Sequence, residues 1–224
     1  HDLPAMPTPP LPRDEAAGVA EALGAKPLCG GCGAKLGRDA LTRALAALPA
    51  PIRADVLSNP GDDAAVLMQG ELRQLITTDH PRAFTEDPWL FARLAAVHAL
   101  GDIWAMGGAP QAALAQVTLP RMSEDLAART LAEMLDAAGA VFRAAGADLV
   151  GGHTSLGAEL TLGFSVTGLA ARPVGIAGAR PGDALILTKP LGSGVILAAE
   201  VARAAPGDAS AASDGASANH AVAS

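Results

Sequence analysis

Two different hydrophobic periods alternate along the middle of the chain, and each change of period marks an element. "AAVLM" (64–68) and "ELRQLITTD" (71–79) read as strands joined by a tight turn at Gln69-Gly70. "DPWLFARLAAVHALGDIWAMGG" (87–108) reads as a long helix. Asp87 can cap its N-terminus, Pro88 suits the first helical position, and Gly107-Gly108 ends it. "QAALAQVTL" (111–119) is a strand, and residues 123–146 form a second helix that starts at Ser123 and stops at Gly146. "ADLVGGHTS" (147–155) predicts a short strand running into a glycine-rich turn, and "ELTLGFSVTGLA" (159–170) alternates as a strand should.

Outside this block the pattern weakens. Leu41, Leu45 and Leu48 give "GRDALTRALAAL" (37–48) helical spacing, and "PAPIRADVLSNPGDD" reads as a loop. "ARPGDALILTKPLGSG" (179–194) predicts the first strand of another unit, with a helix following through "VILAAEVARAA". The expected organisation is a Pro/Ala-rich leader or linker over 1–27, an N-terminal domain over 28–177, the start of a truncated second domain over 178–205, and a disordered Ala/Ser/Gly tail over 206–224. No long internal repeat is evident. The fold class is mixed α/β (α+β), a sheet with packed helices followed by the start of a second α/β domain.

Composition narrows the function. The 224 residues suffice for one large domain or two small ones, and half of them are hydrophobic, although much of that is alanine. A net charge of −7, 3% aromatics and no tyrosine argue against nucleic-acid binding. An acidic chain that handles phosphates needs metal ions to neutralise the charge. No apolar run approaches the ~18 residues of a membrane helix, and "HDLPAMPTPPLPRDE" lacks the pattern of a signal peptide. Two cysteines without an export signal point to free thiols in a reducing cytoplasm.

Both cysteines lie in "CGGCGAK" (29–35). A zinc site needs four ligands, and neither a second cysteine pair nor a histidine pair accompanies Cys29 and Cys32. A redox pair wants its first cysteine at a strand-to-helix junction, whereas a proline-rich stretch precedes this one. An inert glycine-rich loop is the plain alternative. Against it stands Lys35, three residues from Cys32, which can lower the thiol's pKa and hold an anion where glycines let the backbone approach. Asp62 and Asp63 follow a Pro-Gly turn, Asp79 ends a strand, and Asp102 interrupts an apolar helix. Strand-end aspartates are often only turn formers, but the three elements could converge on a metal–phosphate cluster, and a buried Asp102 would need a partner. "VGGHT" (150–154) could contact a nucleotide or could simply be a solvated turn.

In this order, "CGGCGAK", "GDDAAVL", "TTD", "HALGDIWAMGGAP", "LVGGHT", "ELTLGFSVTGL" and "GDALILTKPLGSGV" resemble the selenide, water dikinase (selenophosphate synthetase) family over about residues 29–202. That family belongs to the superfamily of aminoimidazole ribonucleotide synthetase and thiamine monophosphate kinase. The resemblance implies that ATP, selenide and water give selenophosphate, AMP and phosphate, with Mg²⁺ and K⁺. It implies that Cys32 is the reactive thiol and Lys35 the essential lysine contacting phosphates. Asn59, Pro60 and Gly61 would line the nucleotide, and Asp62 would ligate Mg²⁺. Asp79 and Asp102 would meet both ATP and metal. Gly151, Gly152 and His153 would contact ATP from the partner subunit of a homodimer formed through the N-terminal domain. The leader also resembles the junction to an upstream flavin-dependent oxidoreductase domain, as a fusion or associated partner. Two departures stand out: the family's "TDVTGFGL"-like segment in the second domain has no counterpart here, and His80-Pro81 follow "TTD" where aromatics are common. The chain could therefore bind ATP without turning it over. The alternatives are a thiamine monophosphate kinase-like phosphotransferase and a nucleotide-binding dimerisation module without catalysis.

Overall fold

A computed structural model of the chain describes residues 36–192 and 194–196. The 1–27 leader, Cys29, Cys32, Lys35 and the 206–224 tail lie outside the described residues. The elements are α1 (Arg38–Ala46), β1 (Ala65–Gln69), β2 (Leu72–Asp79), α2 (Pro88–Ala105), β3 (Ala109–Pro120), α3 (Glu124–Ala144), β4 (Asp148–Gly157) and β5 (Thr161–Ala170). They form a five-stranded sheet in the order β1-β2-β5-β3-β4. All pairings are antiparallel except β3 with β4. That parallel pair needs a long crossover to reverse the chain, and α3 supplies it.

The predicted caps form. Asp87 Oδ1 accepts from Leu90 N at 3.0 Å with Pro88 at the first position, and Ser123 Oγ accepts from Leu126 N at 3.4 Å. Gly107, with φ 70°, turns the chain out of α2 in the left-handed region that glycine favours.

Strand alternation sends one set of side chains toward the helices. Leu75 and Thr77 of β2, Ala113, Ala115, Val117 and Leu119 of β3, and Leu162, Phe164 and Val166 of β5 are buried. α2 presents Phe91, Ala92, Ala95, Ala96, Ala99, Leu100 and Ile103 to the same core. Its many alanines let the helix backbone approach sheet and α3 closely, so the alanine-rich composition still closes a core. Phe142 of α3 meets Phe164 edge-on at 5.0 Å between ring centroids. Burying such a ring contributes about 1.5–3 kcal/mol. The opposite face of the sheet is polar in its middle. Gln116 Nε2 donates to Ser165 Oγ at 2.7 Å, and Ser165 Oγ donates to Thr78 Oγ1 at 3.2 Å. Among the described residues no helix is long and apolar enough to cross a membrane.

Two expectations from the pattern need correction. The "GGHT" segment is not a turn: β4 runs on through Gly151, Gly152 and His153 to Gly157, paired with β3 throughout. Glycines usually weaken a strand, but here they permit contact. The register slips so that Leu149 faces Ala113 while Gly151 faces Leu114, and a Cβ on Gly152 would lie 2.0 Å from the Ala115 carbonyl oxygen. Gly152→Ala must push β4 off β3, with an expected loss of about 1–3 kcal/mol in urea unfolding. Unchanged stability would mean that the strands are not so close.

The strand predicted within 179–194 is likewise absent among the described residues. Leu185 and Ile186 are 96% and 82% exposed. An extended apolar run becomes a strand only when a neighbour satisfies its backbone groups, and no described strand lies beside it. Gly194–Ile196 are helical, and the rest of the predicted helix lies outside the described residues.

Candidate active site between β2 and α2

The periods of strand and helix bring four polar side chains to one seam. Thr77 and Asp79 are two residues apart on β2, so both face α2. His98 and Asp102 are four apart on α2, so both lie on one side of that helix. Two rungs join the elements. Thr77 Oγ1 donates to Asp102 Oδ2 at 2.5 Å, and His98 Nε2 lies 3.3 Å from Asp79 Oδ2.

The seam is short of positive charge. Burial, first of all, pushes the Asp102 carboxyl above the ordinary carboxylate range, and the negative charges of Asp79 and Asp63 push the same way. The Thr77 hydrogen bond and His98 oppose the shift. A carboxylate held against its desolvation and beside two others is a place where a cation lowers the energy. Among the described residues no three Asp, Glu, His or Cys side chains converge closely enough to cage an ion. Mg²⁺ commonly binds through one or two carboxylates, completing its shell with phosphate oxygens and water. The all-oxygen pair Asp79–Asp102 fits that mode.

The Asn59-Pro60-Gly61 loop leads toward this seam. Gly61 has φ 135°, a conformation that side chains rarely adopt. Met106, just past α2, ties the loop down: its Sδ accepts from Ala64 N at 3.1 Å, while its carbonyl accepts from Val174 N at 3.0 Å. Asp62 turns to the same 174–176 strap. Its Oδ1 accepts from Asp63 N at 2.9 Å and its Oδ2 from Ile176 N at 3.4 Å. Asp63, rather than Asp62, is the loop acid whose charge Asp102 feels.

Of the sequence-predicted residues, Asp79 and Asp102 thus come together, while the Asp62 carboxylate, on the adjoining loop, is engaged by Asp63 N and Ile176 N. Gly151, Gly152 and His153 do not join them within one chain. β5 and β3 intervene between β2 and β4, so three strand spacings, about 14 Å, separate them. His153 pairs in register with Gln116, on the face away from the helices. Sequence reasoning missed Thr77 and His98, and of the adjacent acids Asp62 and Asp63 it gave the ligand role to Asp62. The signals were there: Thr77 shares the strand face of Asp79, and His98 is one helical turn before Asp102.

Residues 61–170 match the family described as AIR synthase related protein, N-terminal domain. The fold is that of an AIR synthase-related N-terminal domain. Among curated proteins, a selenide, water dikinase from Desulfitobacterium hafniense (strain Y51) is 41% identical over 192 residues, covering 82% of this chain and 56% of the relative. Another, from Citrifermentans bemidjiense, is 44% identical over 138 residues, covering 60% and 40%. The chain therefore spans about half the length of the curated relatives it matches, and its homology is to their N-terminal region. Among solved structures, AaThiL complexed with AMPPCP and TMP superposes with a TM-score of 0.52 at 24% identity, covering 63% of this chain and 43% of that one. At that identity the likeness establishes the shared AIR synthase-like fold.

Proposed function

We propose that the chain is the ATP-binding N-terminal part of a selenide, water dikinase, which converts ATP, selenide and water into selenophosphate, AMP and phosphate. The observation that carries this reading is the 41% identity over 192 residues with a protein of that name. The seam between β2 and α2 supports it, because phosphoryl transfer is largely positioning and neutralisation of phosphate charge. Asp79 and Asp102 would hold Mg²⁺, with Asp62 and Asp63 on the adjoining loop; the ion would supply neutralisation of phosphate charge. K⁺ assists as a monovalent cation. Asn59, Pro60 and Gly61 line the nucleotide. Cys32 handles selenium as the reactive thiol, and Lys35, three residues on in the sequence, contacts the phosphates. ATP as ligand gains support from the AMPPCP complex of AaThiL.

Two chains act together. In this reading Gly151, Gly152 and His153, three strands from Asp79 in the same chain, contact the nucleotide held by the other subunit of a homodimer, as the family resemblance implies. The protein works in the cytoplasm, where selenide and thiols stay reduced, and acts with a flavin-dependent oxidoreductase domain as a fusion or an associated partner.

Phosphorus NMR of the full chain with ATP, Mg²⁺, K⁺ and selenide, under anaerobic conditions, tests the reading. Selenophosphate with AMP is the expected product pair wherever the chain turns over, alone or complemented with the C-terminal half of a relative. ADP as the only nucleotide product in the complemented mixture would replace this reading with that of a simple kinase. A bound nucleotide that stays intact even then would leave a binding module.

A further inference from the structure

Thr77, within β2, is the only buried polar or charged residue among the described residues, and it is 7% exposed. Its hydroxyl could have donated to a backbone carbonyl, as buried threonines commonly do. Instead it reaches across to α2 and donates to Asp102 Oδ2 at 2.5 Å. A carboxylate oxygen has more than one lone-pair direction, and a donor on one of them fixes the plane of the group. Asp102 is attached through two rotatable bonds, and the neighbouring acids Asp79 and Asp63 repel it. Without a donor from β2, that repulsion and the pull of water would turn the carboxylate away from Asp79.

From this geometry we infer that Thr77 is a positioning residue: its hydroxyl orients the Asp102 carboxylate so that Asp102 and Asp79 can share one divalent cation. The inference rests on the assignment of the metal to that pair under the proposed function. Thr77 itself touches neither metal nor nucleotide. Groups that hold a ligating carboxylate commonly matter tenfold to a hundredfold for metal affinity.

The test is Mn²⁺ binding to the full chain, followed by electron paramagnetic resonance in the presence of the β,γ-methylene analogue of ATP. Four proteins are compared: the parent, Thr77→Val, Thr77→Ser and Asp102→Asn. Valine keeps the shape and removes the hydroxyl; serine keeps the hydroxyl. Thr77→Val should weaken Mn²⁺ binding about tenfold or more, while its metal-free melting temperature stays near that of the parent, and Thr77→Ser should bind close to the parent value. A merely structural hydrogen bond would instead lower the melting temperature and leave the Mn²⁺ affinity of the folded protein alone. Parent-like binding by Thr77→Val, with Asp102→Asn defective, would overturn the positioning role and leave the metal site standing. If Asp102→Asn binds Mn²⁺ as the parent does, or the parent binds none, the site assignment fails and the role of Thr77 fails with it.

Discussion

Replacing Asp102 by asparagine should cost at least about a hundredfold in Mg²⁺-dependent ATP affinity while leaving the metal-free protein no less stable. The two effects have one cause. Asp102 sits half-buried on a mostly apolar helix, with Asp79 and Asp63 nearby, and its carboxyl is raised above the ordinary range by that burial and repulsion. A raised acid binds its proton more tightly in the folded chain than in the unfolded one. Folding then takes up a proton in the window above the ordinary carboxylate pKa, so stability from this group is greatest at low pH and falls as pH rises through the window. Asparagine keeps an oxygen for the Thr77 hydroxyl and removes the charge. In EDTA, Asp102→Asn should therefore melt at or above the parent at pH 7, and the advantage should shrink as the pH falls and vanish below the ordinary aspartate pKa of about 3.9, where the carboxyl is protonated in both states. Isothermal titration with ATP, with and without Mg²⁺, measures the other half. Affinity that survives the substitution, or a lower melting temperature at pH 7, would remove Asp102 from a metal site.

The second large effect falls on the cysteine–lysine loop. Cys32→Ser and Lys35→Ala should each lower selenophosphate formation by about a thousandfold or more, in the full chain complemented with the C-terminal half of a relative. A cation on the transferring phosphates is worth that much, and a serine hydroxyl lacks the thiolate's affinity for selenium. The melting temperature should hardly move, because the apolar cluster that sets stability runs from Ala64 to Ala170. Phosphorus NMR reads the product, and thermal unfolding reads the fold. Full activity in Cys32→Ser would discard the thiol from the mechanism; a large fall in melting temperature for either variant would make the loop structural.

Most of the fold was legible because its signals are local. Asp87-Pro88 and Ser123 announce helix starts, and the alternation in "ELRQLITTD" and "ELTLGFSVTGLA" survives as β2 and β5. What was not legible depends on partners distant in sequence. Gly151 and Gly152 look like a turn until the pairing of β4 with β3, and the approach of Ala115 to Gly152, explain them. "ALIL" (184–187) looks like a strand, yet no described strand pairs with it. In the site, Asp102 stood out as a carboxylate interrupting an apolar helix, and Asp79 as the acid that ends a strand. Thr77 and His98 did not, since a threonine in a strand and a histidine in a helix are ordinary, and only the packing of β2 on α2 gives them partners. The choice of Asp62 over Asp63 was similarly open, because which of two adjacent acids faces α2 depends on how Gly61 turns the loop.

The central claim is that the acidic seam between β2 and α2 is where metal and triphosphate meet. Crystals of the full chain grown with Mn²⁺ and the β,γ-methylene analogue of ATP test it most directly, through the anomalous signal of the metal. The account predicts a peak within coordinating distance of both Asp79 and Asp102, bridged to phosphate oxygens. A nucleotide bound elsewhere, with no metal at this pair of carboxylates, would contradict it.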